Sequence, residues 1–343
     1  MRSWALSCQA RLWAARSLTT PFFPDIPSKS YTVCRAPGWG SSGDNEGVAV
    51  GFGDQLAQYV VSGLTTGAVY ALVALGFCLI YNATRVVNFA QGDFLSLGGL
   101  MAYSFLIGAG LPMALAFPLA IVAVALVGAL LERLAIRPAR SRQVMVLIFI
   151  TIAASILMRG IFKHLWGKQA LALPPLSPET PLHLLGATFT PQNLWVLAIT
   201  LVAIVALIWF FNRTLTGKAM RATAINSSAA ALMGIDAHRM TMYSFALAGA
   251  LGALAGVLIT PITSLSYNVG VIIGLKGFAA AVLGGYGSFP GAVVGGLVLG
   301  LIESLTAGLI SSVYKDAVAF VVLLLVLFLR PGGLLGVKGR DRV

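Results

Sequence analysis

LWVLAITLVAIVALIWFF, residues 194–211, contains no charge and no proline, and shows no polar stripe at helical or strand spacing. As a helix it reaches about 27 Å, close to the ~30 Å hydrocarbon core of a bilayer. A spanning β-strand would alternate polar and apolar residues over about ten positions, which this stretch does not do. A membrane-crossing helix is the reading that remains, because only a helix satisfies its own backbone inside lipid. The rest of the chain repeats the pattern. Its 343 residues are 58% hydrophobic and 10% charged, with mean hydropathy +0.89, whereas a soluble domain is about a quarter charged. The expected fold is an all-α, polytopic integral membrane protein of about eight to ten spans. Uncharged segments place them near 59–81, 94–110, 112–131, 143–162, 193–211, 240–263, 268–286, 289–308 and 314–330. The last has a strictly apolar core of only Ala317 to Leu329, short for a span unless Tyr314 and Lys315 reach back to the interface.

The formal net charge of +12 follows membrane topology. Arg133, Arg137, Arg140 and Arg142, then Arg213, Lys218, Arg221 and Arg239, then Arg330, Lys338, Arg340 and Arg342 mark three cytoplasmic segments by the positive-inside rule. Counting spans backwards puts the start of the first one outside and Arg85 inside. No basic residue alternates with stacking aromatics outside the spans, so no nucleic-acid partner is expected. Cys8, Cys34 and Cys78 form neither a disulfide framework nor a redox motif.

Residues 1–50 hold Pro21, Pro24, Pro27 and Pro37 and the run GWGSSG, with Arg2, Arg11 and Arg16 ahead of any acid. They form no span and no secretory signal, and are expected to be a disordered extension or the product of a start codon assigned too early. A single transmembrane domain is expected over 51–343. Within it, the five prolines between 163 and 191 predict an irregular outer cap. The inner loop, about 212–239, carries Asn226-Ser-Ser before Ala229-Ala-Ala-Leu-Met and Gly234, which predicts a short capped helix on the cytoplasmic face.

Catalytic chemistry is not visible. His164, His183 and His238 lie in loops with no second ligand at metal spacing. The nearest approach to a P-loop, Gly217-Lys218-Ala219, lacks the first glycine and the hydroxyl. Glycine, 38 residues of 343, is abundant. Gly252-x3-Gly256, Gly291-x3-Gly295 and Gly296-x3-Gly300 set small residues on one helix face for close packing. Two polar interruptions stand out, at Thr84–Asp93 and at Gly284–Gly291. Irregular backbone at membrane depth survives where protein or water surrounds it, and paired breaks in transporters point to the pathway. The translocation-path candidates are therefore Asn88, Gln91 and Gly92, with Gly285 and Gly287 opposite. Asn88 also reads as a plain cap for the next helix. Lys276 and Glu303 are charges inside apparent spans, costly unless paired. They sit roughly 18 Å and 22 Å from the turn near Ser288 along their helices, which makes them an ion-pair candidate.

Several of these stretches resemble one family. GLTTGAVYALVALGF at 63–77, NFAQGD at 88–93, ERLAIRPAR at 132–140, GLKGFAAAVLGGYGSFPGA at 274–292 and RPGGLLG at 330–336 are similar to permease subunits of branched-chain amino acid ABC importers of the LivH type. The resemblance runs from about Gly53 to the C-terminus. It implies an ABC importer permease architecture with some broken helices, in a bacterial inner membrane with the C-terminus cytoplasmic. It also implies four kinds of company: a second homologous permease, two cytoplasmic ATPase subunits, a periplasmic substrate-binding protein and the lipid bilayer. The chain would bind no cofactor, ATP being hydrolysed by the partners. The segment from Arg221 to Asp236 resembles the ATPase-docking loop, with Ala229, Ala230, Ala231 and Gly234 in its helix; Asn226-Ser-Ser stands where members often carry acids. Substrate does not follow, since similar architectures serve urea, amides and aromatic acids. The rival reading is a secondary transporter or facilitator working without an ATPase.

Overall fold

The computed structural model describes residues 52–139, 143–177, 182–184, 187–330 and 332–335. The expected extension at 1–50, and Arg140, Arg142, Lys338, Arg340 and Arg342, lie outside the described residues. α1 (Phe52–Thr84) is the central helix. Nearly every side chain from Ala68 to Ile80 is buried, so an apolar helix that could face lipid on all sides is enclosed by protein. α2 (Gln91–Tyr103) ends in a π-helical turn, Ser104–Gly108. α3 (Met113–Leu131) ends in another, Glu132–Ile136. α4 (Val144–Trp166) and α5 (Pro191–Arg213) follow. These peripheral helices expose large apolar side chains such as Leu126, Phe149 and Val202, the surface that lipid is suited to cover.

The inner loop forms two helices, α6 (Leu215–Ile225) and α7 (Ser227–Leu232). α8 (Ala237–Thr263), α9 (Val269–Gly284), α10 (Phe289–Leu309) and α11 (Lys315–Leu329) complete the bundle. Six helices are long and apolar enough to cross a membrane: 53–84, 113–136, 144–166, 191–213, 237–263 and 289–309. The other three expected spans are the shorter α2, α9 and α11, of 13, 16 and 15 residues. At 1.5 Å per residue these reach only about 20–24 Å. α2 tolerates this because it is surrounded by protein, with eleven of its residues buried, and so need not match the hydrocarbon thickness.

Small residues set the crossings. α1 and α10 run antiparallel, with Gly63 against Leu301 and Gly67 against Leu297. α2 and α8 run parallel: Gln91 reaches Ala248, and a Cβ on Gly256 would overlap the Leu95 carbonyl. Gly92 meets Gly270 and Gly274 of α9 backbone to backbone. The α8–α9 connection is irregular, with Ser264 at φ 43°. Leu265 forms two backbone hydrogen bonds with Leu171, at 2.7 and 2.8 Å, after which the chain turns back so that α9 starts beside α2. There the Gly270 N–H donates to Ser96 Oγ at 2.9 Å, and a neighbouring helix supplies the cap that Asn268 does not.

The outer cap is not wholly irregular. β1 (Leu182–Leu184) and β2 (Ala187–Phe189) form an antiparallel hairpin, Leu182 opposite Phe189, so the all-α description holds for the spans and not for this loop. At the opposite, basic end, the Leu334 and Leu335 N–H groups donate to the carbonyls of Leu283 and Gly284, both at 2.9 Å. The C-terminal segment thus completes the end of α9.

Candidate functional site

The α9–α10 turn uses Gly285 at φ 110° and Gly287 at φ 90°, backbone that other residues rarely adopt. The helices return antiparallel from it. Lys276 Nζ then stands 2.7 Å from Glu303 Oε1. Two partners join that sequence reading did not name. Tyr70 Oη donates to Glu303 Oε2 at 2.7 Å, and Asp316 Oδ1 lies 2.6 Å from Lys276 Nζ. Lys276 and Glu303 are buried, while Asp316 is half exposed. Neither addition was legible from spacing, because Tyr70 lies in the apolar middle of α1 and Asp316 opens the span that looked too short. The cluster lies on the wall of a cavity of ≈ 300 Å³ at the hairpin end, lined also by Thr65, Asn193, Thr263 and Lys315.

The first polar interruption is more enclosed than its composition suggests. Asn88 is 1% exposed, and its Oδ1 accepts from the Ala90 N–H at 3.1 Å, while its Nδ2 makes no hydrogen bond. Gln91 is 0% exposed and donates from Nε2 to the Ala248 carbonyl at 3.0 Å. Gly92 borders a cavity of ≈ 130 Å³ shared with Phe77, Phe89, Ser155, Arg159 and Phe278, whereas Asn88 borders one of only ≈ 10 Å³. Gly285 and Gly287 do not line the Gly92 cavity, although Tyr286 between them packs edge-on against Phe278 with centroids 5.7 Å apart. Their turn lies at the basic end, where Asn82 Nδ2 donates to the Gly287 carbonyl at 3.0 Å. The irregular segment that reaches inside the bundle on that half of the chain is 264–268 instead.

Next to Gly92, Asp93 is 1% exposed, and its Oδ1 lies 3.7 Å from Arg159 Nε. This pair was missed, since the two are far apart in sequence and Arg159 read as close to a span's end. At the basic end, Arg85 Nη2 donates to the Ala224 carbonyl of α6 at 2.6 Å. Asn226 caps α7 through the Ala229 N–H at 3.0 Å, and Gly234 closes it at φ 79°. Ala229 and Ala231 are exposed, but Ala230 turns inward. Asp236 caps α8, and the N–H of Arg239, with that of His238, holds its carboxyl below the usual range. Among the described residues no group of three His, Cys, Asp or Glu is placed to hold a metal ion.

A bundle of apolar helices with short interior members, cavities at the hairpin end and beside Gly92 and irregular backbone at depth is the architecture of a multi-pass membrane permease. Residues 59–327 match the family described as branched-chain amino acid transport system / permease component, and the chain belongs to that family. The high-affinity branched-chain amino acid transport system permease protein LivH of Escherichia coli is 34% identical over 294 residues, covering 81% of this chain and 95% of that protein. BraD of Pseudomonas aeruginosa, a protein of the same description, is 33% identical over 294 residues with the same coverage. The ribose import permease protein RbsC of Haemophilus influenzae is 24% identical over 270 residues, covering 76% of this chain and 80% of that one. The chain is thus a permease subunit of the ABC importer class.

Proposed function

We propose that this permease conducts branched-chain amino acids, pairs with a second homologous permease, and is driven by two cytoplasmic ATPase subunits after delivery from a periplasmic binding protein. The basic end and the C-terminus face the cytoplasm of a bacterial inner membrane. The path passes Gly92, shaped from behind by Asn88 and Gln91, and closes toward the Gly285–Gly287 turn. The observation that carries the ATP-driven reading is the surface of α6 and α7. Ile225, Leu232 and Met233 stand exposed there, at an end that basic residues keep out of the bilayer. Exposed apolar side chains on a short capped helix among Arg213, Lys218, Arg221 and Arg239 fit a protein partner, whereas a facilitator has no use for them.

The test is uptake of labelled leucine into proteoliposomes containing this chain, the second permease, both ATPases and the binding protein. Uptake should require ATP and should fall when Leu232→Asp is introduced, with the permeases still inserted. Equilibration by this chain alone, without ATPase or ATP, would establish the facilitator instead.

A further inference from the structure

We propose that Asp93, Arg159 and the aromatic cavity beside them form a transit site for a zwitterion with an aliphatic side chain; this rests on the importer reading above and assigns residues to its substrate. The cavity of ≈ 130 Å³ lies between α1, the start of α2, α4 and α9. Its apolar wall is three rings: Phe77 and Phe278 with centroids 5.7 Å apart, and Phe89 at 6.3 Å from Phe278. Its polar wall is Ser155 and Arg159. The Arg159 guanidinium folds back along its own helix, Nε to the Ser155 carbonyl and Nη2 to Ser155 Oγ, both at 3.3 Å.

Asp93 stands behind that guanidinium and is poorly served. Its contact to Arg159 is 3.7 Å, and neither carboxylate oxygen meets hydrogen-bond geometry with a described group. A buried carboxylate without hydrogen bonds is costly, and a structural Arg–Asp pair ordinarily closes to about 2.7–2.9 Å, often with two parallel bonds. This pair is separated instead, and the Arg159 side chain remains 28% exposed two turns before the end of α4. A charge at that depth faces a partner or a water-filled passage, not lipid.

An α-amino acid supplies what is lacking. Its carboxylate accepts from Arg159 on the cavity wall, and its ammonium is drawn toward Asp93, one residue beyond the lining Gly92, the two charges being carried on one carbon. Its side chain then enters the ring-lined space, which Gly92 and Gly274 also border. A sugar or urea offers neither charge, and the apolar rings give their hydroxyls or amides no partner.

The experiment uses the complete importer in proteoliposomes and reads two quantities: leucine uptake per ATP hydrolysed, and ATP hydrolysis stimulated by the loaded binding protein. Losing one charge-assisted hydrogen bond predicts a fall in uptake per ATP of about tenfold or more for Asp93→Asn and for Arg159→Gln, with stimulated hydrolysis retained. The double variant should do no better. Recovery of uptake in the double variant would make the pair a strut at a subunit contact and overturn the proposal, as would unchanged uptake in both single variants. If Asp93→Asn fails to assemble, Arg159→Lys keeps the charge and loses the forked donors; it too should fall, and unchanged uptake there also overturns the site. Wild-type importer that hydrolyses ATP but moves no leucine is a different result, against the substrate reading and not this geometry alone.

Discussion

Replacing Lys276 with methionine tests whether the cluster at the hairpin end is one energetic unit. Removing one partner from a buried ion pair costs about 3–5 kcal/mol, because the other charge is left stranded. Here Glu303 keeps the Tyr70 hydroxyl at 2.7 Å, a charge-assisted bond worth about 1.5–3 kcal/mol. The loss should therefore sit near the lower bound, about 3 kcal/mol. Glu303→Gln should cost less, about 1.5 kcal/mol, since Lys276 retains half-exposed Asp316 at 2.6 Å and the new amide still accepts from Tyr70. With both changes no buried charge is unpaired, and a loss near 1 kcal/mol, about one neutral hydrogen bond, is expected. The double variant is then more stable than the Lys276→Met single, with coupling of about 3.5 kcal/mol, just beyond the ~0.5–3 kcal/mol usual for residues in contact. The assay is reversible unfolding of the four proteins in mixed micelles. Additivity to within about 0.5 kcal/mol would refute the reasoning.

Three other outcomes are expected. Gly256→Val should prevent assembly because a side chain there meets the Leu95 carbonyl, whereas Gly160→Ala, with nothing within 4 Å, should raise stability by about 0.5–1 kcal/mol; yield and melting temperature in detergent separate them. Asn226→Ala removes the α7 cap and about 1 kcal/mol of local helix stability, so binding-protein-stimulated ATP hydrolysis should fall while membrane insertion does not. Asn88→Ser keeps an oxygen for the Ala90 N–H and should leave the thermal midpoint nearly unchanged, whereas Asn88→Leu, which buries no acceptor, should lower it.

Much of the architecture was legible because apolar length is a direct demand of the bilayer. The runs that became α1, α3, α4, α5, α8 and α10 were found for that reason. What length does not reveal is whether a helix meets lipid or protein. α2, α9 and α11 were therefore read as ordinary spans, although α2 is enclosed and α9 begins inside the bundle. The small-residue motifs pointed to close packing, but not to the pairings Gly92 with Gly270 or Gly256 with Leu95, which only three dimensions supply. Lys276 and Glu303 were paired on paper because a tight turn fixes the distance of each from it. Asp93 and Arg159 share no turn, and Tyr70 and Asp316 carry no spacing at all, so their meeting was invisible along the chain. The Asn226 cap and Gly234 were readable because such signals are local; that Ala230 faces inward while its neighbours face out depends on what α7 rests against.

The hydrogen bonds from Leu334 and Leu335 to the last carbonyls of α9 also set an order of events during synthesis. Carbonyls at a helix end need outside partners, and here the partners leave the ribosome about fifty residues after Gly284, some 3–10 s later at ordinary elongation rates. Until then the α9–α10 turn is inserted but unfinished. Closure of that turn thus waits until α11 has been made, and a chain terminated at Arg330 would hold the membrane helices described above yet leave that turn open to quality-control proteases.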